Sequence, residues 1–407
     1  MNELLSVGPL RGLLVDGIIN GVGAVVVFIP QIMILFAVVA VLEDCGYMAR
    51  AAFLMDRLMS RAGLNGKSFI PLLSSMACAV PGIMSARVIE NPRDRLATIL
   101  VAPLMSCSAR LPVYGLLIGA FFTGPEFGWW VPGLAYFGLY MIGIILAPLI
   151  ALLLKSTMLR GETPVFVMEM PLYKMPSLRI VARRSIDSGW MFLKRAGTFI
   201  LASMVLVWAL LYFPRGDFES RIAVETQALD AQRQKLKGVS DATEEEIDAA
   251  KPLIVAQEKK INELRSEWRA QSVLGHVGRW IEPAVEPLGW DWRIGMAAIA
   301  SFPAREVMVG ALGIIFGEGE GDADDSEYRH ALSDALRNAR KAEHPVFSVP
   351  VAMSVLVFFA LCCQCVSTLV VIKRETNSWR WPVFTFVYMT SLAYVGALLT
   401  FQIGQRF

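Results

Sequence analysis

The chain has 407 residues, of which 55% are hydrophobic and 18% charged, and its formal net charge at pH 7 is +2. A charge so close to zero gives no reason to expect a nucleic-acid partner. Six apolar runs approach or exceed the ~20 residues that cross a bilayer as a helix. They lie at 17–42, 96–122, 131–154, 196–213, 347–372 and 382–403. The sequence therefore predicts an all-α polytopic membrane protein.

The first run ends in two acidic residues, Glu43 and Asp44, at the edge of the hydrocarbon. They either line the inner mouth of a path or simply terminate an interfacial helix. Basic residues in 43–67, 87–95 and 155–195 place these three segments in the cytoplasm by the positive-inside rule.

The stretch from Gly63 to Arg87 is apolar but is interrupted by Pro71 and Pro81. Interrupted backbone at membrane depth is tolerated only where protein buries it or where it lines a watery cavity. Transporters place substrate sites at such segments. Cys78 lies at the interruption, with Met84 nearby. Because both flanks are predicted to be cytoplasmic, we expect a re-entrant hairpin.

The next apolar run, 96–122, is interrupted by Pro103 and Pro112 around Cys107. Cys107 therefore shares with Cys78 and Cys365 a position in an apolar segment, beside proline or small residues. Thiolates favour borderline and soft transition metals, whereas Mg²⁺ and Ca²⁺ prefer oxygen ligands. A transport site must also release its ion, which suits sparse ligands. The alternative is that each cysteine is a small buried hydrophobe.

Residues 214–275 interrupt the apolar pattern with a segment rich in both charge signs. Apolar residues recur every seven positions in two parts of it, with Ile222 and Leu229 in the first and Ile254 and Ile261 in the second. This spacing predicts an antiparallel helical hairpin outside the membrane. Such a hairpin usually acts as a spacer or a docking element.

A second interrupted stretch covers residues 293–317, and its acidic flank places both ends outside. It contains Glu306, and an ionisable residue at membrane depth is by default a functional hypothesis. The alternative is a structural pair of Glu306 with Arg305.

The two interrupted stretches belong to an internal repeat, because residues 55–80 align without a gap on 281–306. The aligned pairs include Asp56 and Glu282, Gly63 and Gly289, Asn65 and Asp291, Lys67 and Arg293, and Ser75 and Ser301. The predicted senses of the spans reverse between the two halves. The fold we predict is therefore two inverted-topology repeats, each with a broken re-entrant hairpin, and a site between them near the membrane midplane.

Five stretches resemble the membrane part of the bacterial ferrous-iron transporter B family, FeoB. They are LEDCGYMARAAFLMDRLM (42–59), GLNGKSFIPLLSSMACAVPGIMSARVIENPRDRLATIL (63–100), PLMSCSARLPVYGLLIGAFF (103–122), FPAREVMVGALGIIFG (302–317) and CVSTLVVIKRETNSW (365–379). The resemblance implies Fe²⁺ as the transported substrate, a multi-pass location in the bacterial inner membrane, and two gate repeats like those of concentrative nucleoside carriers. The positions it assigns to the metal path are Cys78, Cys107, Cys365, Glu306, Glu43 and Asp44, and Met84 joins them as a neighbouring soft ligand.

Compared with the family pattern, we expect this chain to lack the GTPase domain, the helical regulatory domain and the first span. We therefore expect a transporter rather than an enzyme, with no permanently bound cofactor and with GTP acting only through a missing domain or a partner. The expected partners are membrane lipid, a separate G-domain subunit and a small FeoA-like protein. Homo-oligomerisation is left open.

The expected domains are a first gate repeat at 1–155, a basic cytoplasmic loop at 156–195, the soluble hairpin at 214–275, and a second gate repeat formed by 196–213 and 276–407. Two alternatives remain. One is a carrier of the same architecture for another divalent metal or a nucleoside, although Asn and Gln are scarce in both broken stretches. The other is a non-transporting paralogue that acts as a scaffold.

Overall fold

A computed structural model describes most of the chain. The described residues are 12–123, 128–160, 173–213, 218, 221–222, 224–226, 228–229, 260–261, 264–303, 305, 307–316, 326–341, 344–363 and 365–406. The α-helices are α1 (Asn20–Asp44), α2 (Tyr47–Arg61), α3 (Phe69–Ala77), α4 (Ala79–Ser85), α5 (Pro92–Val101), α6 (Leu111–Phe121), α7 (Val131–Thr157), α8 (Leu178–Phe192), α9 (Thr198–Tyr212), α10 (Val273–Val285), α11 (Trp292–Ala300), α12 (Val307–Ile315), α13 (Ser326–Asn338), α14 (Val349–Leu361), α15 (Val366–Thr376) and α16 (Arg380–Gly404).

Shorter helical turns join several of these helices. Turns of 3₁₀ helix lie at Gly66–Ser68, Ala86–Val88, Ala102–Leu104, Ser108–Arg110 and Glu286–Leu288, and π-helical turns lie at Leu13–Ile19 and Leu193–Gly197. The strands among the described residues are two short ones, β1 (Arg340–Lys341) and β2 (His344–Pro345), which pair antiparallel. The expectation of a helical chain is confirmed apart from this small pair.

Four helical segments of the described chain are long and apolar enough to cross a membrane. They are Pro92–Phe121, Val131–Thr157, Val349–Thr376 and Arg380–Gly404. They match four of the six predicted runs, and they make the chain a helical membrane protein. The other two runs form α1, with 25 residues, and α9, which has 15 and is shorter than the ~20 residues of a full crossing.

Two of the four membrane helices are broken, and these two are the more buried. We call α5–α6 the first broken span and α14–α15 the second broken span. Within their most apolar stretches, 61% and 82% of residues are buried, compared with 28% for α7 and 22% for α16. Irregular backbone at membrane depth requires this protection, because lipid supplies no hydrogen-bond partners. The unbroken α7 and α16 are left to face lipid.

Two further helix pairs are broken in the middle, and they correspond to the predicted interrupted stretches. We call α3–α4, which breaks at Cys78, the first broken pair, and α11–α12, which breaks between Ala300 and Val307, the second broken pair. One apolar core joins α6 with α11, α12 and α14, while another joins α4 and α5 with α15. Each core therefore combines segments from both halves of the sequence.

The aligned halves share local geometry just before each broken pair. Gly63 and Gly289 both have positive φ, +70° and +79°, a conformation that glycine adopts without a Cβ penalty. Two residues later, the side chains of Asn65 and Asp291 each accept the backbone N–H two positions on, both at 3.0 Å. Positions 226 residues apart thus form the same turn and the same helix cap.

The two arms of the 214–275 segment contact each other where the structure describes them. Lys260 Nζ lies 2.6 Å from Glu225 Oε1, and Leu229, Ile261 and Leu264 are buried. A helical hairpin would produce such a contact, and the hairpin itself stays a prediction. The seven-residue pattern between the arms, including Ile254, lies outside the described residues.

Candidate functional site

The chain reverses direction at Cys78, which lies between α3 and α4. Cys78 is extended, with φ −153° and ψ 133°. Gly82 of α4 packs so closely on α3 that an added Cβ would lie 1.8 Å from Ser75 Oγ and 2.7 Å from the Pro71 carbonyl oxygen. Residues seven apart cannot approach so closely along one continuous helix, which rises 1.5 Å per residue. Cys78 is therefore the tip of a tightly packed helical turnaround.

The break in the first broken span lies against this tip. Cys107 is extended, with φ −97° and ψ 164°, and the hydroxyl of Ser108 donates to the carbonyl oxygen of Ala77 at 3.2 Å. Ala77 is the last residue of α3 and precedes Cys78. The hydrogen bond therefore joins the segments that carry Cys78 and Cys107.

The second half repeats this arrangement. Cys365 is extended at the start of α15, with φ −150° and ψ 108°, and its Sγ lies 2.8 Å from Ser367 Oγ. The backbone N–H of Val366 donates to the carbonyl oxygen of Phe302 at 3.3 Å. The break of the second broken span is thus hydrogen-bonded to the break of the second broken pair.

The three predicted cysteines converge from these breaks. Cys78 has Cys107, Cys365 and Arg305 among its neighbours. All three cysteines are half-buried, whereas Cys362 and Cys363 are each only 1% exposed. The partly accessible thiols are therefore the ones predicted to line a path, and the adjacent pair packs in the core.

Two buried arginines, Arg110 and Arg305, stand beside the cysteines, with 0% and 5% exposure. Cys107 lies near the guanidinium groups of both Arg110 and Arg305. Sequence reasoning considered Arg305 only as a partner of Glu306 and assigned no role to Arg110. The signal available in the sequence was a charged residue inside an apolar segment.

The remaining predicted residues lie elsewhere or are not described. Glu43 Oε2 accepts from Arg184 at 2.9 Å, and Asp44 pairs with Lys174 at 2.9 Å. These contacts tie the end of α1 to α8 and to the segment just before it, so the stretch predicted as a basic loop is helical over Leu178–Phe192. Met84 is half-buried in α4 and packs against the same apolar core as Cys78. Glu306 lies outside the described residues.

The cysteines do not form a preassembled metal centre. Within the described ranges, no three His, Cys, Asp or Glu side chains are arranged to hold a metal ion. Partly exposed thiols at adjacent helix breaks can offer single ligands in succession. Such weak, distributed binding is what passage requires, because an ion must leave as readily as it enters.

A helical membrane protein with paired broken helices around a buried polar centre has the architecture that transporters use. The family model for Gate, described as "Nucleoside recognition", matches residues 25–121 and 193–379. A second model, "Ferrous iron transport protein B C terminus", matches residues 136–187. The chain belongs to the Gate family and, within it, to the FeoB proteins, as their membrane part.

Similar curated proteins align over the full length of this chain. It is 43% identical to an Fe(2+) transporter FeoB of Leptospira interrogans over 411 residues and 37% identical to one of Staphylococcus aureus over 409 residues. It is also 40% identical to an "Fe(2+) transport protein A/Fe(2+) transporter FeoB fusion protein" of Porphyromonas gingivalis. The chain spans about half the length of these relatives, 53%, 51% and 46%. No solved structure matched it.

Proposed function

We propose that the chain conducts ferrous iron across the bacterial inner membrane, along a path that includes Cys78, Cys107 and Cys365. The observation that carries the proposal is the convergence of these three half-buried thiols at hydrogen-bonded helix breaks. The names of the relatives support Fe²⁺ as the substrate. Fe²⁺ is a borderline metal that accepts sulfur ligands, whereas Mg²⁺ prefers oxygen ligands. Transport, rather than catalysis, is the role that follows.

Contacts at the outer ends of both broken pairs support re-entrant hairpins. Lys67, just before α3, lies 2.8 Å from Glu90, which follows α4. In the second broken pair, the Arg293 guanidinium stands 5.7 Å from the ring centroid of Phe316. Ends that touch lie on the same side of a membrane. We propose that the pairs enter from opposite sides, in two inverted gate repeats at 1–155 and at 196–213 with 276–407.

The other predicted roles remain proposals. Glu306 belongs to the path in the second broken pair, Met84 supplies a soft ligand beside Cys78, and Glu43 with Asp44 forms its inner mouth. No cofactor is bound permanently, and GTP acts through another domain or subunit. The fusion relative supports association with a small FeoA-like protein.

The test is anaerobic Fe²⁺ entry into liposomes that contain the full chain. Cys78→Ala/Cys107→Ala should lower the initial rate of Fe²⁺ entry at least about tenfold. A tenfold lower rate needs a barrier only ~1.4 kcal/mol higher, and the loss of two sulfur ligands should raise the barrier by at least this amount. Cys45→Ala is the matched control, since that thiol donates to Leu42 at the end of α1 and should leave the rate unchanged. Full flux in the double variant, with intact folding, would contradict the cysteine path.

A nucleoside carrier is the second candidate, favoured by the description of the Gate family model. Asn and Gln side chains would favour nucleoside recognition, and these are scarce in both broken pairs. Entry of labelled uridine into the same liposomes, insensitive to loss of Cys78, would favour this candidate over iron.

A further inference from the structure

The two buried arginines share one structural task, although they come from different halves of the chain. Arg110 donates to the carbonyl oxygen of Pro103 at 3.3 Å and to Ser106 Oγ at 3.0 Å. Arg305 donates to the carbonyl oxygens of Phe359 at 3.2 Å and Cys362 at 2.8 Å. In each case the guanidinium binds where the first half of a broken span ends.

These helix ends are natural cation sites. The last carbonyl groups of a helix have no partner within it, and the helix dipole adds about half a negative charge there. In transporters with broken helices, the same carbonyls coordinate the coupling ion, such as Na⁺. Here Phe359 lies in the last turn of α14 and Cys362 follows its end. The guanidinium group of Arg305 binds the carbonyl oxygens of both residues and so occupies this cation site.

We infer that Arg110 and Arg305 are built-in cations, which hold the positions that a dissociable coupling ion takes in other broken-helix transporters. The inference rests on the proposed transport function and specifies its energetics. Because a tethered guanidinium cannot leave, iron movement is not coupled to Na⁺ through these two helix ends. Both arginines are then positioning residues, which fix the break segments that present Cys107 and Cys365.

The geometry explains why arginine rather than lysine occupies both places. Arg305 uses two different nitrogens, Nη1 and Nη2, for two carbonyl oxygens three residues apart. A guanidinium presents donors in a rigid planar fork, whereas an ammonium is a single point charge. Lysine would keep the charge and lose one of the two contacts.

The first experiment measures cation binding without any transport. Arg305→Ala, purified as the full chain in nanodiscs, is heated with and without millimolar methylguanidinium, and with Na⁺ or choline. We expect methylguanidinium to raise its Tm by about 2 °C or more, because a ligand of the native state stabilises it. The wild type and Arg57→Ala, which removes an exposed arginine of α2, should show no rise. An equal rise in all three proteins would overturn the inference.

The second experiment uses the liposome assay for Fe²⁺ entry. Replacing Na⁺ by choline should leave wild-type uptake unchanged. The initial rate of uptake by Arg305→Ala should be at least about tenfold lower than that of the wild type, and methylguanidinium should restore part of that rate. Wild-type uptake that requires a Na⁺ gradient would overturn the inference, whether or not a variant folds. If Arg305→Ala does not fold, Arg110→Ala and Arg305→Lys take its place, and Arg305→Lys should remain Na⁺-independent with reduced uptake.

The two readouts separate this inference from the proposed function. A methylguanidinium-specific Tm rise without cysteine-dependent Fe²⁺ entry would keep the built-in cations and reject the proposed cysteine path. Cysteine-dependent entry that needs Na⁺ would keep iron transport and reject the built-in cations.

Discussion

Replacing Gly82 by alanine tests whether the packing of α4 on α3 sets the position of Cys78. The new Cβ would lie 1.8 Å from Ser75 Oγ and 2.7 Å from the Pro71 carbonyl oxygen. The hydroxyl cannot simply rotate away without cost, because it donates to that same carbonyl at 2.7 Å. Even with the hydroxyl moved, the backbone oxygen remains too close. The two helices must therefore separate.

The expected cost follows from three effects. Overpacking of a close helix contact costs about 1–3 kcal/mol, and loss of the Ser75 hydrogen bond about 1 kcal/mol. Alanine recovers up to about 1 kcal/mol through its higher helix propensity. The net destabilisation is then ~1–3 kcal/mol, which lowers Tm by roughly 2–4 °C for each kcal/mol in a protein of some 200 residues, and by less in a larger one.

The assay is thermal unfolding in nanodiscs, paired with Fe²⁺ entry into liposomes. Gly119→Ala is the matched control, because a Cβ there meets nothing within 4 Å, and its Tm should stay level or rise slightly. Adding Ser75→Ala to Gly82→Ala removes the 1.8 Å contact but leaves the 2.7 Å contact with Pro71, so it should restore Tm only in part. Equal Tm values for the Gly82 and Gly119 variants would refute the packing described for the first broken pair.

Two further predictions test the glycine turns that precede the broken pairs and the ion pair between Arg87 and Glu375. Gly289→Ala should lower Tm more than Gly63→Ala. Both substitutions strain a positive φ, which costs about 1–2 kcal/mol, but only the first places a Cβ 2.2 Å from the Phe401 ring. Equal losses of Tm would show that the Phe401 ring moves aside without cost. Arg87 and Glu375 form two hydrogen bonds, at 2.8 and 2.6 Å, that join the 3₁₀ turn after α4 to the end of α15. Exchanging the two residues should recover part of the stability that either single reversal loses, with a coupling energy on the order of 1 kcal/mol in a double-mutant cycle.

The sequence predicted where the helices break, because the causes of the breaks are local. Prolines flank the interruption at Cys107, and small residues surround Cys78. The alignment of the halves also paired Gly63 with Gly289, and these two glycines share a left-handed turn. Turn and cap preferences act within a few residues and can be read without a partner.

The contacts between breaks could not be predicted in the same way. The hydrogen bond from Ser108 to Ala77 spans 31 residues, and the one from Arg305 to Cys362 spans 57. Periodicity gives no information about which carbonyl a distant donor will meet. Arg305 is an example. The sequence suggested a pair with its neighbour Glu306, whereas the described partners of its guanidinium are the carbonyl oxygens of distant residues.

Breaking a helix inside a membrane protein exposes carbonyl groups that lipid cannot satisfy, so the donors at the breaks reveal how the segments are coupled. In each half, the broken span donates to the break of the broken pair, through Ser108 in the first half and Val366 in the second. Arg110 donates to Pro103 within the break of the first broken span, and Arg305 donates from the second broken pair to Cys362, at the break of the second broken span. Displacing one break therefore leaves a buried carbonyl without a donor unless its partner moves too, at about 1–3 kcal/mol for each orphaned group. This penalty favours concerted movement of both segments in a half, so that the cysteine of a broken pair and that of its broken span reach the path together.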